Sequence, residues 1–216
     1  MDFNLARFNM IQQQIRPWGV LDESILDLFS TVPREKFVQP GLESLAFSDE
    51  FISIGYGQVM LPPKIVGRLL QALNFSGQET VLEVGTGTGY VTALLCHLAT
   101  KVFSIEIIPE LSKHAAKNLR SLTLNNLVLE TGDGVYGWTK FAPYDALIFT
   151  GSLPYLPTIL KEQLAPQGKL FAFVGAPPVM SAILVTRINE NEWEQQTLFE
   201  TNVPPLINAP KTPFKF

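Results

Sequence analysis

Val81-Leu82-Glu83-Val84-Gly85-Thr86-Gly87-Thr88-Gly89-Tyr90 is the stretch on which the reading of this 216-residue chain turns. An apolar run of strand length meets three alternating glycines, and a helical apolar pattern from Val91 to Ala99 follows at once. Strand, glycine loop and helix make a ligand-binding turn. Glycine tolerates positive φ and lets a ligand approach the backbone, while the helix N-terminus offers it unpaired N–H groups. A dinucleotide fingerprint needs G-x-G-x-x-G, but here the third glycine comes one residue early and Tyr90 takes its place. Plain tight turns use such glycines too, so the loop alone leaves both readings open.

Composition narrows the field. The length suits one domain over residues 1–216, whose first part, 1–62, differs in pattern from the remainder, 63–216. A net charge of −4 provides no electrostatic footprint for nucleic acid. Cys96 is the only cysteine, beside His97 in an apolar helical run, so neither a disulfide framework nor a thiolate metal cluster is expected, and no metal site is. The opening MDFNLARFNM lacks the apolar core of a signal peptide, and no run approaches the ~20 apolar residues of a membrane span. The expectation is a soluble, cytoplasmic protein without a membrane partner.

From Phe3 to about Phe37 the pattern is helical. Phe8, Ile11 and Ile15 share one face, Arg16-Pro17-Trp18-Gly19 stops the first helix, and Asp22 caps a second carrying Ile25, Leu26 and Phe29. Periodicity then vanishes between Gln39 and Pro63, a segment too apolar for disorder, which reads as a binding loop. A helix over Pro63–Leu73 follows, with Ile65, Val66, Leu69, Leu70 and Leu73 as its stripe. Next come strands at 80–84, 102–105, 127–130, 145–150 and 169–174, with helices at 90–99, 109–122 and 158–164 between them. Pro109 suits a first helical turn and Gly168 the turn after a C-cap. Such alternation predicts an α/β fold whose mostly parallel sheet carries helices on both faces. The extended runs 181–188 and 193–200, joined by Asn189-Glu190-Asn191-Glu192, predict an antiparallel C-terminal hairpin and so seven strands.

In an open α/β sheet the ligand lies beyond the carboxyl ends of the strands, where strand order reverses. Four features fall at those ends: Glu83 to Gly89, Glu106-Ile107, Gly132-Asp133-Gly134, and Thr150-Gly151-Ser152. Glu106 stands about twenty residues past the loop, where a carboxylate accepts from both ribose hydroxyls of a nucleoside. Asp133 is placed to accept from an adenine amine, and Glu83 to hold a cationic amino group directly or through water.

The E-x-G-x-G-x-G order resembles that of S-adenosylmethionine-dependent methyltransferases, and the likeness then extends along nearly the whole chain. Met10 to Gln13, Val32-Pro33-Arg34, Ile54-Gly55-Tyr56-Gly57-Gln58, Val81 to Tyr90, Ser104-Ile105-Glu106, Gly132-Asp133-Gly134 with Gly137-Trp138, and Tyr144-Asp145-Ala146 together resemble the protein-L-isoaspartate O-methyltransferase family. The resemblance implies a Rossmann-like class I methyltransferase fold with an N-terminal helical cap. It implies S-adenosylmethionine as cofactor, held by Glu83, Gly85, Thr86, Gly87, Thr88, Gly89, Glu106, Ile107, Asp133, Gly134 and Thr150. The implied acceptor is the free carboxylate of an isoaspartyl residue in a damaged protein or peptide. A carboxylate with pKa about 4 is already ionised at neutral pH, so the chemistry needs no general base.

One departure bears on the acceptor. The family follows its I-G-x-G-Q segment with T-I-S-Q-P, whose serine hydroxyl lies near the reacting carboxylate; here Val59-Met60-Leu61-Pro62-Pro63 stands there. Tyr56 replaces the usual histidine, and Gly151-Ser152-Leu153-Pro154 replaces A-A-P. The acceptor-side candidates are therefore Tyr56, Gln58, Leu61 and Ser152, with Ser53, Tyr56 or Ser152 as sources of the missing hydroxyl. A methyltransferase with another acceptor and a non-catalytic cofactor-binding protein are the alternative readings.

Overall fold

The computed structural model describes residues 1–211. Helix α1 (Phe3–Met10) is capped by Asp2, continues as a π-helical turn over Ile11–Ile15 and a 3-10 turn over Arg16–Trp18, and stops at Gly19 with φ +83°. The π turn shifts the spacing of side chains, so Met10, Ile11 and Ile15 are buried while Phe8 points outward, against the expected shared face. Asp22 caps α2 (Glu23–Thr31) through a 2.9 Å bond from the Ser24 amide, as the sequence predicts.

The segment expected to be an irregular loop contains order. A two-stranded antiparallel hairpin, β1 (Ile52–Gly55) and β2 (Gln58–Met60), projects from it with Tyr56-Gly57 at the tip. Strands of four and three residues are too short for their alternation to register as a pattern. Ile52 and Ile54 face inward and Ser53 outward. Helix α3 (Pro63–Leu73) buries the predicted stripe and ends at Asn74 in the left-handed region.

The main sheet runs β5 (Leu127–Thr131), β4 (Lys101–Glu106), β3 (Thr80–Val84), β6 (Tyr144–Leu153), β7 (Leu164–Ala176), β8 (Val179–Asn189), β9 (Glu192–Thr201). The first five are parallel in chain direction, and β8 and β9 are antiparallel. Seven strands with an antiparallel ending match the expectation. The predicted helix over 158–164 is shorter: α6 covers Thr158–Glu162, and Leu164 already pairs with Tyr144. Gly168 is not a C-cap but lies in β7, where a Cβ would meet the Ala165 and Tyr144 carbonyls at 2.8 Å. It marks the close approach at a register irregularity between Tyr144 and Ala146.

Chain order decides where helices go. α4 (Tyr90–Leu98) and α5 (Pro109–Leu119) connect strands that step outward from β3, so right-handed crossovers put both on one face, together with the N-terminal cap. The chain then returns to β6 on the other side of β3, and α6 packs on the opposite face through Leu160. Strand order reverses between β3 and β6, and ligands of such sheets bind above that point.

Candidate active site

The glycine loop leaves β3 at the switch point and stays tied to β4 by a 2.9 Å bond from the Gly85 amide to the Ile105 carbonyl. Gly85 has φ +96°, and a Cβ there would lie 2.3 Å from Thr150 Oγ1. Only glycine lets the loop pass that close to β6, where Thr150 donates to the Val84 and Gly85 carbonyls at 3.1 and 2.7 Å. Gly87, at φ +56°, offers its amide to Glu106 Oε2 at 2.8 Å, while Glu106 Oε1 accepts the Ile108 amide at 3.0 Å. The carboxylate at the end of β4 therefore sets both the loop and the entry to α5.

These groups line a cleft that opens to solvent, with about 630 Å³ of space between its walls when the open solvent at its mouth is included. Of the sequence candidates it gathers Gln58, Gly85, Gly87, Glu106, Ile107, Asp133, Gly134 and Thr150. Asp133 is exposed, accepts the Val135 amide at 3.0 Å with Oδ1 and is bonded by Asn208 Nδ2 at 2.8 Å on Oδ2. Asn208 belongs to a strap missed by sequence reasoning. Residues 203–208 run along the cleft, and Val203, Pro204, Leu206 and Ile207 line it. The hairpin adds Ile54 and Val59 from the opposite side.

Ser152 anchors that strap. Its amide donates to the Pro204 carbonyl at 3.0 Å, its carbonyl accepts the Leu206 amide at 3.0 Å, and its hydroxyl donates to the Val203 carbonyl at 2.8 Å. The expectation that Ser152 supplies an acceptor-side hydroxyl is thus corrected: the group is buried and spent on the strap. Tyr56, 61% exposed at the hairpin tip, lines neither cleft wall, and Ser53 faces outward.

Glu83 lies beneath the loop rather than in the cleft lining. It is wholly buried, with Oε2 accepting from Thr92 Oγ1 at 2.5 Å and Ser104 Oγ at 2.6 Å. Ser104 is also paired with Thr86 of the loop at 2.6 Å, so hydroxyls link Glu83 to the glycine turn. Glu83 Oε1 has no partner, and burial pushes the carboxyl up to about 7, outweighing the two hydroxyl donors, with the Glu106 charge adding to the rise. Gly89, at φ +88°, leads into α4, and a Cβ there would press on Leu119 at 2.9 Å; its part is packing.

A smaller second cleft shares Ile54, Val59, Gly85, Gly87 and Thr150 with the first and continues it under the hairpin. Leu61, Thr86 and Thr88 line it. Leu61 is 4% exposed and brings an apolar surface where the family has serine. Four lining residues carry hydroxyls. Thr86 is bonded to Ser104 and Thr150 to backbone carbonyls, while the Tyr90 ring is buried under the Arg34 guanidinium of the cap and its hydroxyl has no hydrogen-bond partner among the described residues. Thr88 makes no side-chain hydrogen bond among the described residues.

The residue set fits S-adenosylmethionine. A backbone cradle that side chains would fill runs along Gly85 and Gly87, a carboxylate closes the strand end, and a buried carboxylate oxygen without a partner sits under the loop. A thioether-bearing nucleoside with a cationic amino group matches that mixture of apolar walls and acidic groups.

Comparison with known proteins agrees with this geometry. The family model for protein-L-isoaspartate(D-aspartate) O-methyltransferase matches residues 6–210. A protein-L-isoaspartate O-methyltransferase of Syntrophus aciditrophicus is 41% identical over 198 residues, covering 91% of each chain. Another, protein-L-isoaspartate O-methyltransferase 1 of Anaeromyxobacter sp., is 42% identical over 201 residues, covering 92% of this chain and 95% of its own. Among solved structures, a Plasmodium falciparum chain described as a protein-L-isoaspartate O-methyltransferase in complex with S-adenosyl-L-homocysteine shares the fold. Its TM-score is 0.78 at 19% identity, with 96% of this chain and 99% of that one covered. Sheet order, glycine cradle and the match over residues 6–210 converge, and the chain belongs to the protein-L-isoaspartate(D-aspartate) O-methyltransferase family.

Proposed function

We propose that the chain uses S-adenosylmethionine to methylate the free carboxylate of isoaspartyl residues in proteins and peptides, a repair reaction. The carrying observation is the continuity of the two clefts across the glycine loop, one with the acidic strand ends and one under the hairpin. The cofactor, when bound, supplies an electrophilic methyl on a sulfonium centre. Glu106 and the Gly87 amide fix the loop, Asp133 stands at the cleft wall beside Gly134, and Glu83 supports the loop from below through Ser104 and Thr86.

Neither cleft is lined by histidine or cysteine, which suits an acceptor that is already an anion. What the residues contribute is position and dryness. Ile54, Val59, Leu61 and the strap's Leu206 wall the reacting zone with hydrocarbon, so opposite charges that cancel during transfer do so away from water. Thr88 takes the place of the missing serine hydroxyl and donates to the acceptor carboxylate from the cleft that Leu61 shares.

The cap and hairpin over residues 1–62 form the acceptor side, and the core from residue 63 onward forms the cofactor side. A protein rather than nucleic-acid acceptor fits the net charge of −4, and a cytoplasmic site of action is part of the same reading. Calorimetric titration with S-adenosylmethionine and tritiated methyl transfer to an isoaspartyl peptide test the proposal. Binding with transfer is expected. Binding without transfer would assign another acceptor, and no binding at millimolar cofactor would end the reading.

A further inference from the structure

Arg34 is 1% exposed, in the 3-10 turn Arg34–Phe37 of the N-terminal cap. No carboxylate pairs with it among the described salt bridges. Its hydrogen bonds go to two main-chain carbonyls instead: Nε donates to Ala46 at 2.8 Å and Nη2 to Leu61 at 2.7 Å. Those carbonyls stand on either side of the β1–β2 hairpin in the chain, one before its entry and one directly after its exit. The guanidinium also lies over the Tyr90 ring, 4.9 Å from its centroid, and Tyr90 is the first residue of α4 after the glycine loop.

A charge taken out of water without a counter-ion is costly, and a hydrocarbon side chain would fill the same space at less cost. Burial holds the Arg34 side chain down to about 10, so it remains charged at neutral pH, and each of its contacts is one that a hydrocarbon cannot make. Phe29 and Phe37 pack edge-on against the same Tyr90 ring at 6.3 and 5.4 Å, which seats the ring firmly in the cap. We propose that Arg34 is a positioning residue that clamps both ends of the acceptor hairpin and references them to the cofactor helix through Tyr90, so that the second cleft keeps its shape.

The polar contacts of the cofactor cleft do not run through this clamp, although the hairpin's Ile54 and Val59 add apolar lining to it. Gly87, Glu106 and Thr150 are fixed by bonds within β3, β4 and β6. Loss of the clamp therefore separates acceptor use from cofactor binding, whereas a residue that only supports the fold would impair both together. Lysine is an informative replacement, because a single ammonium keeps the charge but cannot reproduce the planar fork that spans two carbonyls.

The experiment uses the intact chain with Arg34→Lys and Arg34→Met. Three readouts are compared with the parent: cofactor Kd by calorimetry, initial rates over a range of isoaspartyl peptide concentrations, and hydrogen exchange of amides 52–61 against those of β3 and β6. The expected result is a cofactor Kd within about twofold, kcat/KM for the peptide lower by about a hundredfold, and faster exchange confined to 52–61. Should Arg34→Met fail to fold, Arg34→Lys and its exchange pattern decide. Unchanged exchange at 52–61, unchanged kinetics, or a loss of cofactor affinity in step with peptide turnover would each overturn the assignment. The kinetic arm rests on the isoaspartyl reading. A parent protein without transfer would refute that reading, while the exchange arm would still decide the clamp.

Discussion

Replacing Glu83 with glutamine should change how stability depends on pH, and the sign follows from the site. Burial holds the Glu83 carboxyl up to about 7 from an ordinary 4.5, because Oε1 finds no partner and the hydroxyls of Thr92 and Ser104 do not offset the lost hydration. The folded chain thus keeps a proton that the unfolded chain has released. Its stabilising contribution is complete below about pH 4.5 and is lost as pH rises through about 7, a difference worth about 3 kcal/mol. Glutamine keeps the shape and the acceptor for both hydroxyls but cannot titrate. Urea unfolding of parent and Glu83→Gln between about pH 5 and about pH 8 should show the stability difference moving in the variant's favour by most of that amount. A difference that stays flat, or moves the other way, would refute the reasoning. The same carboxyl links function to pH: a cationic ligand group near Glu83 favours its ionised form, so cofactor affinity should rise through neutrality in the parent and lose that rise in Glu83→Gln.

Glu106→Ala leaves the Gly87 and Ile108 amides without their acceptor and should weaken S-adenosylmethionine binding by about 1–3 kcal/mol in a calorimetric titration. Unchanged affinity would remove Glu106 from the cofactor site. Thr88→Val deletes a hydroxyl with no side-chain partner among the described residues, so stability should move by less than about 1 kcal/mol while methyl transfer to an isoaspartyl peptide falls about tenfold. Equal rates would mean that Thr88 does not serve the acceptor. Leu61→Ser places a hydroxyl in a site that is 4% exposed and should cost about 2–4 kcal/mol of stability by chemical denaturation, while raising transfer per folded molecule. A stability near the parent's would show that the second cleft is wetter than its apolar walls imply.

The parts of this fold that could be read from the chain are those in which burial leaves a pattern. The run TVLEV is apolar because β3 is covered on both faces, and Gly85 directly after it is forced by the approach of Thr150, so strand and loop fall where expected. Parity fails where register slips. Thr150 and Ser152 are two residues apart on β6, a spacing that predicts one shared face, but the register is irregular between Ile148 and Ser152 and the Ser152 hydroxyl bonds the strap. The strap leaves no pattern in the chain for a related reason: Val203-Pro204-Pro205-Leu206 has no periodicity, and its place is set by backbone bonds to Ser152. Glu83's partners became visible only with the pairing of β3 and β4, which sets Glu83 opposite Ser104.

The two sides of the site are built by different means, and this accounts for where the chain departs from its relatives. On the cofactor side the ligand-facing groups are the glycine backbone and acids whose own bonds hold the loop, so a changed side chain there would move the loop itself. On the acceptor side the hairpin is held by Arg34 through carbonyl oxygens, including that of Leu61. A carbonyl is present whatever the side chain. The residue at position 61 can therefore exchange a hydroxyl for an apolar surface without shifting the hairpin, and the acceptor cleft can change its chemistry while its frame stays in place.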